Sequence, residues 1–179
     1  MVPKLDRAGL TILWGIPGAG KSTFACWLAS NKGFTHIDTD AGSATAVDHA
    51  WRRTLSGDVP PQIFVQAVAR HGHLVVLEYG LYVASGAIAL LQRLQEVGAD
   101  PWWFDGNRLA AFAAWRAENR RKHRDFTDEK WHEGVNVINT NWRMVEQFFG
   151  RQRILRTIEV GPTHVPPETT YASMRRVTG

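Results

Sequence analysis

Eight residues near the N-terminus, Gly15-Ile16-Pro17-Gly18-Ala19-Gly20-Lys21-Ser22, constrain this 179-residue chain more than any other stretch. They stand between the apolar run Leu10-Thr11-Ile12-Leu13-Trp14 and the segment Thr23-Phe24-Ala25-Cys26-Trp27-Leu28. The first reads as a buried strand and the second as a helix. Glycines at 15, 18 and 20 let successive backbone amides converge on one anion, where a side chain would block approach or forbid the backbone angles. Lys21 adds a cation, Ser22 a hydroxyl for a divalent ion, and the helix N-terminus a favourable dipole. A Gly/Pro-rich strand-to-helix turn can match such a pattern by accident. Complete spacing with both flanking elements in place favours the phosphate-binding reading.

Length bounds the rest: 179 residues make one domain with a full core and one active site. No apolar run approaches the roughly 20 residues that span a membrane, and Met1 to Arg7 holds no signal-peptide core, so a cytoplasmic protein is expected. Cys26 is the only cysteine, which excludes an internal disulfide or a cysteine zinc cluster; its place in an apolar helix face suggests packing. The net charge of +4 permits an anionic partner, or reflects a solvated arginine-rich face.

In chain order, the first helix is predicted from Gly20 to Ser30, with Asn31-Lys32-Gly33 as its stop, and a short strand at Phe34-Thr35-His36-Ile37. Asp38-Thr39-Asp40 closes that strand, at the end where parallel sheets bind ligands, and two carboxylates so placed can divide two tasks. A weakly helical segment runs from Ala41 to Leu55, and Ile63 to Arg70 makes a short amphipathic helix. The strand Leu74-Val75-Val76-Leu77 ends at Glu78, which is either a metal-shell or water-positioning carboxylate or a simple strand cap. A surface helix from Val83 to Val97 leads to the strand Pro101-Trp102-Trp103-Phe104. Its paired tryptophans read as core before they read as a base-stacking platform, and Asp105 as the cap of the next helix.

That helix carries Arg116, Arg120 and Arg124 at four-residue intervals, with Arg121 and Lys122 beside them. Such a stripe can close over a phosphoryl group as negative charge spreads over its oxygens, or pair with Glu118, Asp125 and Asp128 as a solvated face. A helical stretch from Glu129 to Gly150 follows, with Gly134 as its expected interruption, then a fifth strand over Arg153 to Val160. Thr163 to Gly179 is expected to be a loose tail or a late wrap over the surface. The seven histidines show no metal-binding spacing.

Strands alternating with helices behind a phosphate loop imply an α/β, doubly wound, five-stranded parallel sheet flanked by helices. With Gly15 to Ser22, Asp38-Thr39-Asp40, the Leu74 to Glu78 strand and the arginine helix, the chain resembles the small P-loop kinases. The expected layout is a P-loop kinase domain over 1–162, with an Arg-rich helical lid at about 107–130 and a tail over 163–179. The Asp-Thr-Asp element resembles that of shikimate kinases. The order of acid pair, Val-Val-Leu-Glu strand and arginines also resembles zeta toxins, chloramphenicol phosphotransferases and polynucleotide kinases. Shikimate kinases carry a glycine-rich run after the third strand, where this chain has Glu78-Tyr79-Gly80-Leu81. Polynucleotide kinases place an arginine three residues beyond the catalytic aspartate, whereas Ala41-Gly42-Ser43 follows Asp40 here. Related phage kinases phosphorylate hydroxymethylated pyrimidines in DNA, and the basic pI of about 9.6 is compatible with that substrate.

The resemblance implies an ATP-dependent kinase transferring the γ-phosphoryl group to a hydroxyl acceptor. Gly15, Pro17, Gly18, Ala19, Gly20, Lys21, Ser22 and Thr23 would hold ATP, helped by Arg120 and Arg124. Ser22, Asp38 and Glu78 would position Mg²⁺, Asp40 would orient or deprotonate the acceptor, and Arg116 with Arg120 would neutralise the transferred group. Asp38 and Asp40 can exchange roles. The expected partners are the nucleotide donor and a hydroxyl-bearing acceptor, with nucleosides, nucleotides and nucleic acid among those that fit, and no membrane. The alternatives are a sugar or antibiotic phosphotransferase, an ATPase or nucleotide switch without an acceptor, and a pure nucleic-acid-binding module. The last leaves the phosphate loop unexplained.

Overall fold

A computed structural model describes residues 9–38, 46–79, 85–122, 124–159 and 163–178. Thr39 and Asp40, the start of the weakly helical segment at 41–45, the start of the expected helix at 83–84 and the Val160 end of the expected fifth strand lie outside the described residues.

The central strand β1 (Leu10–Gly15) is buried along its whole length, as an apolar run covered on both faces must be. Around it the five parallel strands take the order β2-β3-β1-β4-β5, with β2 Thr35–Asp38, β3 Val75–Glu78, β4 Asp100–Gly106 and β5 Ile154–Ile158. The chain thus winds to one side of β1 and then to the other, and ligands of open α/β sheets bind where that direction reverses, at the strands' carboxyl ends.

Helix α1 (Lys21–Lys32) packs on β1, β2 and β3. Helices α2 (Ala46–Ser56), α3 (Pro61–Ala69), α4 (Ser85–Glu96) and α7 (Trp142–Phe149) form a second group that reaches β1 and β4. Two neighbouring residues of β4 show that the groups cover opposite faces, because successive strand side chains alternate. Phe104 packs against Phe24 of α1, whereas Trp103 meets Trp142 and Phe149 of α7. Trp102 and Trp103 are fully buried, so the core reading of the tryptophan pair holds.

Helices α5 (Arg108–Arg121) and α6 (Asp128–Thr140) connect β4 to α7. The expected interruption at Gly134 does not occur; Gly134 lies inside α6 and the break falls at Asn141. Asn141 ends α6 because both its backbone N–H and its side-chain amide donate to the Val137 carbonyl. The segment expected as a loose tail or late wrap carries a helix, α8 (Pro167–Thr178), begun by a proline whose missing N–H costs nothing at that position. Tyr171 and Met174 are buried and the Trp27 indole donates to Glu168 at 2.8 Å, which ties α8 to α1. Among the described residues no helix is long and apolar enough to cross a membrane.

Candidate active site

The phosphate loop is held by its carbonyls. Lys21 Nζ donates to Gly15 O at 3.2 Å and to Ile16 O at 2.9 Å. The Trp131 indole of α6 donates to Pro17 O at 3.2 Å, His164 Nε2 lies 2.9 Å from Gly18 O, and the Thr157 hydroxyl of β5 donates to Ala19 O at 2.7 Å. Five consecutive carbonyls are therefore engaged, two by the loop's own lysine and three from distant parts of the chain. Across a planar trans peptide the C=O of one residue and the N–H of the next point in opposite directions. Fixing the carbonyls of Pro17 and Ala19 therefore aims the amides of Gly18 and Gly20 the other way, as an anion cradle requires.

Two glycines meet the steric demand read from the sequence. Gly15 has φ +142° and a Cβ there would lie 1.9 Å from Phe104 O; Gly18 has φ +89° and its Cβ would lie 2.0 Å from Ala111 O. The loop thus touches β4 and the first turns of α5 as closely as backbone permits. Ile16 and Ala19 are fully buried, so the apolar positions of the motif are the underside of the cradle.

Behind the loop, Ser22 Oγ donates to Glu78 Oε2 at 2.6 Å, and His36 Nε2 stands 2.8 Å from Glu78 Oε1. Glu78 is buried at the end of β3, and Asp38 sits opposite it in the β2–β3 register. Burial pushes the Glu78 carboxyl up, but hydrogen bonds from His36 and Ser22, with the charges of His36 and Lys21, outweigh it and hold the group below its usual range. Cys26 is exposed rather than packed into an apolar face, with Sγ 3.6 Å from His36 Nδ1. A hydroxyl and a carboxylate beside a phosphate cradle fit Mg²⁺, which takes one or two protein oxygens and completes its shell with water and phosphate. Among the described residues no group of three His, Cys, Asp or Glu side chains forms a self-sufficient metal site.

The arginines divide into two sets. Arg121 and Lys122 both pair with Glu118, at 2.7 and 2.9 Å, on the exposed side of α5. Glu118 is held down to about 2, chiefly by the Arg121 hydrogen bonds. Arg116, Arg120 and Arg124 instead line a cavity of about 390 Å³ together with Trp115, Asn119 and Phe126. Asp125 and Asp128 also line it, and Arg116 Nε lies 3.4 Å from Asp128. No ion pair engages Arg120 or Arg124 among the described residues. The expected stripe is shortened, because α5 ends at Arg121 and Arg124 belongs to the connection, where its N–H donates to Asn119 O. Asp105 does not cap α5: Asn107 does, accepting from Ala110 N at 3.0 Å, while Asp105 pairs with Arg108.

Aromatic contacts join α5 and α6 to the loop. Phe112 packs on Trp131 with ring centroids 4.9 Å apart, and the Arg116 guanidinium lies 5.5 Å from the Phe112 ring. Trp131, Thr157 and His164 were not singled out for the site from sequence. Trp131 follows the helical core spacing, and only its indole N–H marks a second duty.

No protein-family model matches the chain, and no curated protein matches it in sequence. Solved structures do. A gluconokinase from Sinorhizobium meliloti 1021 superposes with a TM-score of 0.56 at 15% identity, over 96% of this chain and 94% of that one. A shikimate kinase from Bacteroides thetaiotaomicron gives 0.51 at 15% identity over 94% and 95% of the two chains. The fold is that of the small P-loop kinases. A shikimate kinase from Acinetobacter baumannii, solved with shikimate, gives 0.52 at 14% identity over 97% and 94%.

Proposed function

We propose that this P-loop chain is an ATP-dependent kinase that transfers the γ-phosphoryl group to a hydroxyl acceptor. The observation that carries the reading is the loop with five pinned carbonyls, joined through Ser22 to a buried carboxylate at the end of the neighbouring strand. In this reading the loop amides and Lys21 hold the triphosphate, with Pro17, Ala19 and Thr23 in its wall. Ser22, Glu78 and Asp38 hold Mg²⁺, which supplies charge neutralisation at the phosphate oxygens when bound. Asp40 orients the acceptor hydroxyl and takes its proton as the oxygen–phosphorus bond forms and the bond to the β-phosphate oxygen breaks. Arg116, Arg120 and Arg124 stabilise the charge on the transferring group, an effect realised in the transition state.

The proposed acceptor is a nucleoside, nucleotide or nucleic acid, including a hydroxymethylated pyrimidine in DNA. An arginine-lined cavity with Trp115 and Phe126 in its wall supports it, since guanidinium groups and aromatic faces together suit an anion attached to a planar base. A sugar or other small hydroxylated acceptor is the second reading, favoured by the fold likeness to a gluconokinase and to a shikimate kinase.

Transfer of label from γ-labelled ATP to a panel of nucleosides, nucleotides, oligonucleotides, sugars and antibiotics tests both. One acceptor class should become labelled, and Lys21→Ala and Asp40→Asn should both abolish labelling. Unchanged turnover in either variant would refute the assignment of that residue. ATP hydrolysis indifferent to every added alcohol would replace the kinase with an acceptor-free ATPase.

A further inference from the structure

His36 has no place in the mechanism above, yet it bridges the exposed Cys26 of α1 and the buried carboxylate behind the phosphate loop. Its ring lies between two elements. Nδ1 faces Cys26 Sγ of α1 at 3.6 Å, and Nε2 faces Glu78 Oε1 of β3 at 2.8 Å. The His36 side chain is 17% exposed and that of Glu78 7% exposed, so little water competes for the second bond. Glu78 uses its other oxygen to accept from Ser22 at 2.6 Å. Both carboxylate oxygens are thus fixed, one by the loop serine and one by the histidine, which sets the rotation of the carboxylate plane.

The proton positions follow from the donor inventory. An ionised carboxylate only accepts, so the hydrogen of the His36–Glu78 bond belongs to Nε2. Nδ1 faces Cys26 Sγ across 3.6 Å, a second contact that holds the plane of the ring. Cys26, His36, Glu78 and Ser22 thus form one continuous run of side-chain contacts.

We infer that His36 is a positioning residue that orients Glu78 toward Ser22 for metal binding; this rests on the kinase reading above. The physical precedent is general: partners that hydrogen-bond a metal-binding carboxylate or imidazole fix its orientation, and losing one costs about 10–100-fold in metal affinity.

Calorimetry of ADP binding to the full chain, with Mg²⁺ and again in EDTA, separates this role from a structural one, and Mn²⁺ binding to the ADP complex followed by EPR reads the metal directly. His36→Ala should weaken ADP binding about tenfold in Mg²⁺, leave it unchanged in EDTA, and weaken Mn²⁺ by a similar factor. His36→Gln, whose amide nitrogen can take the place of Nε2, should restore the metal response, whereas the shorter His36→Asn should not. Equal weakening with and without metal, or no change in Mn²⁺ affinity, would overturn the inference. Should His36→Ala fail to melt cooperatively, the Gln and Asn pair decides: equal metal responses in the two would overturn the inference. A wild-type chain that binds no ADP in either buffer would instead bring down the kinase reading on which this one stands.

Discussion

Helix α5 joins two regions of opposite construction. At its start, Ala111 abuts Gly18 and the phosphate loop is saturated: every carbonyl from Gly15 to Ala19 has a donor, and Ile16 and Ala19 are sealed beneath. At its other end, Arg120 and Arg124 border a cavity of about 390 Å³ with no ion pair among the described residues. The first region is ordered by the chain itself. Asp125 and Asp128 line the same cavity and Arg116 pairs with Asp128, so the second region mixes both charges with cations in excess. In the kinase reading proposed above, the loop is preorganised for the donor and Arg120 and Arg124 are left to meet the transferring group.

The sharpest way to break that contrast lies within α5. Arg120→Ala should lower the rate of phosphoryl transfer by about 10²–10³-fold, the usual cost of one lost transition-state donor. Arg121→Ala, one residue along and paired with Glu118 on the exposed side, should change it by less than about twofold. Steady-state kinetics on the two variants checks this, and equal losses would make the arginines one undivided cationic field.

Next in size is the loop. Gly18→Ala must force a left-handed backbone on alanine and place its Cβ 2.0 Å from Ala111 O. About 1–3 kcal/mol of strain is expected, read as a thermal midpoint lower by roughly 2–4 °C per kcal/mol, together with weaker nucleotide binding. Trp131→Phe keeps the ring against Phe112 but removes the donor to Pro17 O. It should cost about 0.5–1.5 kcal/mol in denaturant unfolding, and nucleotide binding should weaken because the loop and α6 are no longer tied.

The smallest effect belongs to the solvated side of α5. The Glu118 carboxyl is lowered to about 2 from 4.5, so its ion pairs contribute fully above pH 4.5 and are lost as pH falls through about 2. The side chain is 43% exposed, and solvent screening limits the contribution to under about 1 kcal/mol. Glu118→Gln should therefore differ slightly from wild type in stability at pH 7, with the difference shrinking as pH is lowered below 4.5. A larger gap would mean that this side of the helix is not the solvated surface it resembles.

The contrast between the regions also explains what could be read from sequence. The apolar run of β1, the glycine spacing and the strand ending in Glu78 are local patterns, and local patterns announce themselves. The braces are not local: the donors to Pro17, Ala19 and Gly18 lie 114, 138 and 146 residues away along the chain. No spacing rule links Trp131, Thr157 or His164 to the loop, and His36 reaches Glu78 only because β2 lies beside β3. Helix α8 left little periodic signal to read against its polar residues. Glycine weakens helices, which makes Gly134 the break expected from sequence, yet α6 runs through it and ends where Asn141 turns its side chain back on Val137. Four-residue spacing groups Arg124 with Arg116 and Arg120, and all three line one cavity although α5 stops before Arg124.

The central claim is that the loop from Gly15 to Ser22 is a triphosphate cradle complete before any acceptor arrives. Calorimetric titration of a non-hydrolysable ATP analogue with Mg²⁺, acceptor absent, tests it most directly. Saturable one-to-one binding by the wild-type chain, lost in Lys21→Ala while the variant still melts cooperatively, is the expected result. Absence of binding by the wild type, or undiminished binding by folded Lys21→Ala, would contradict it.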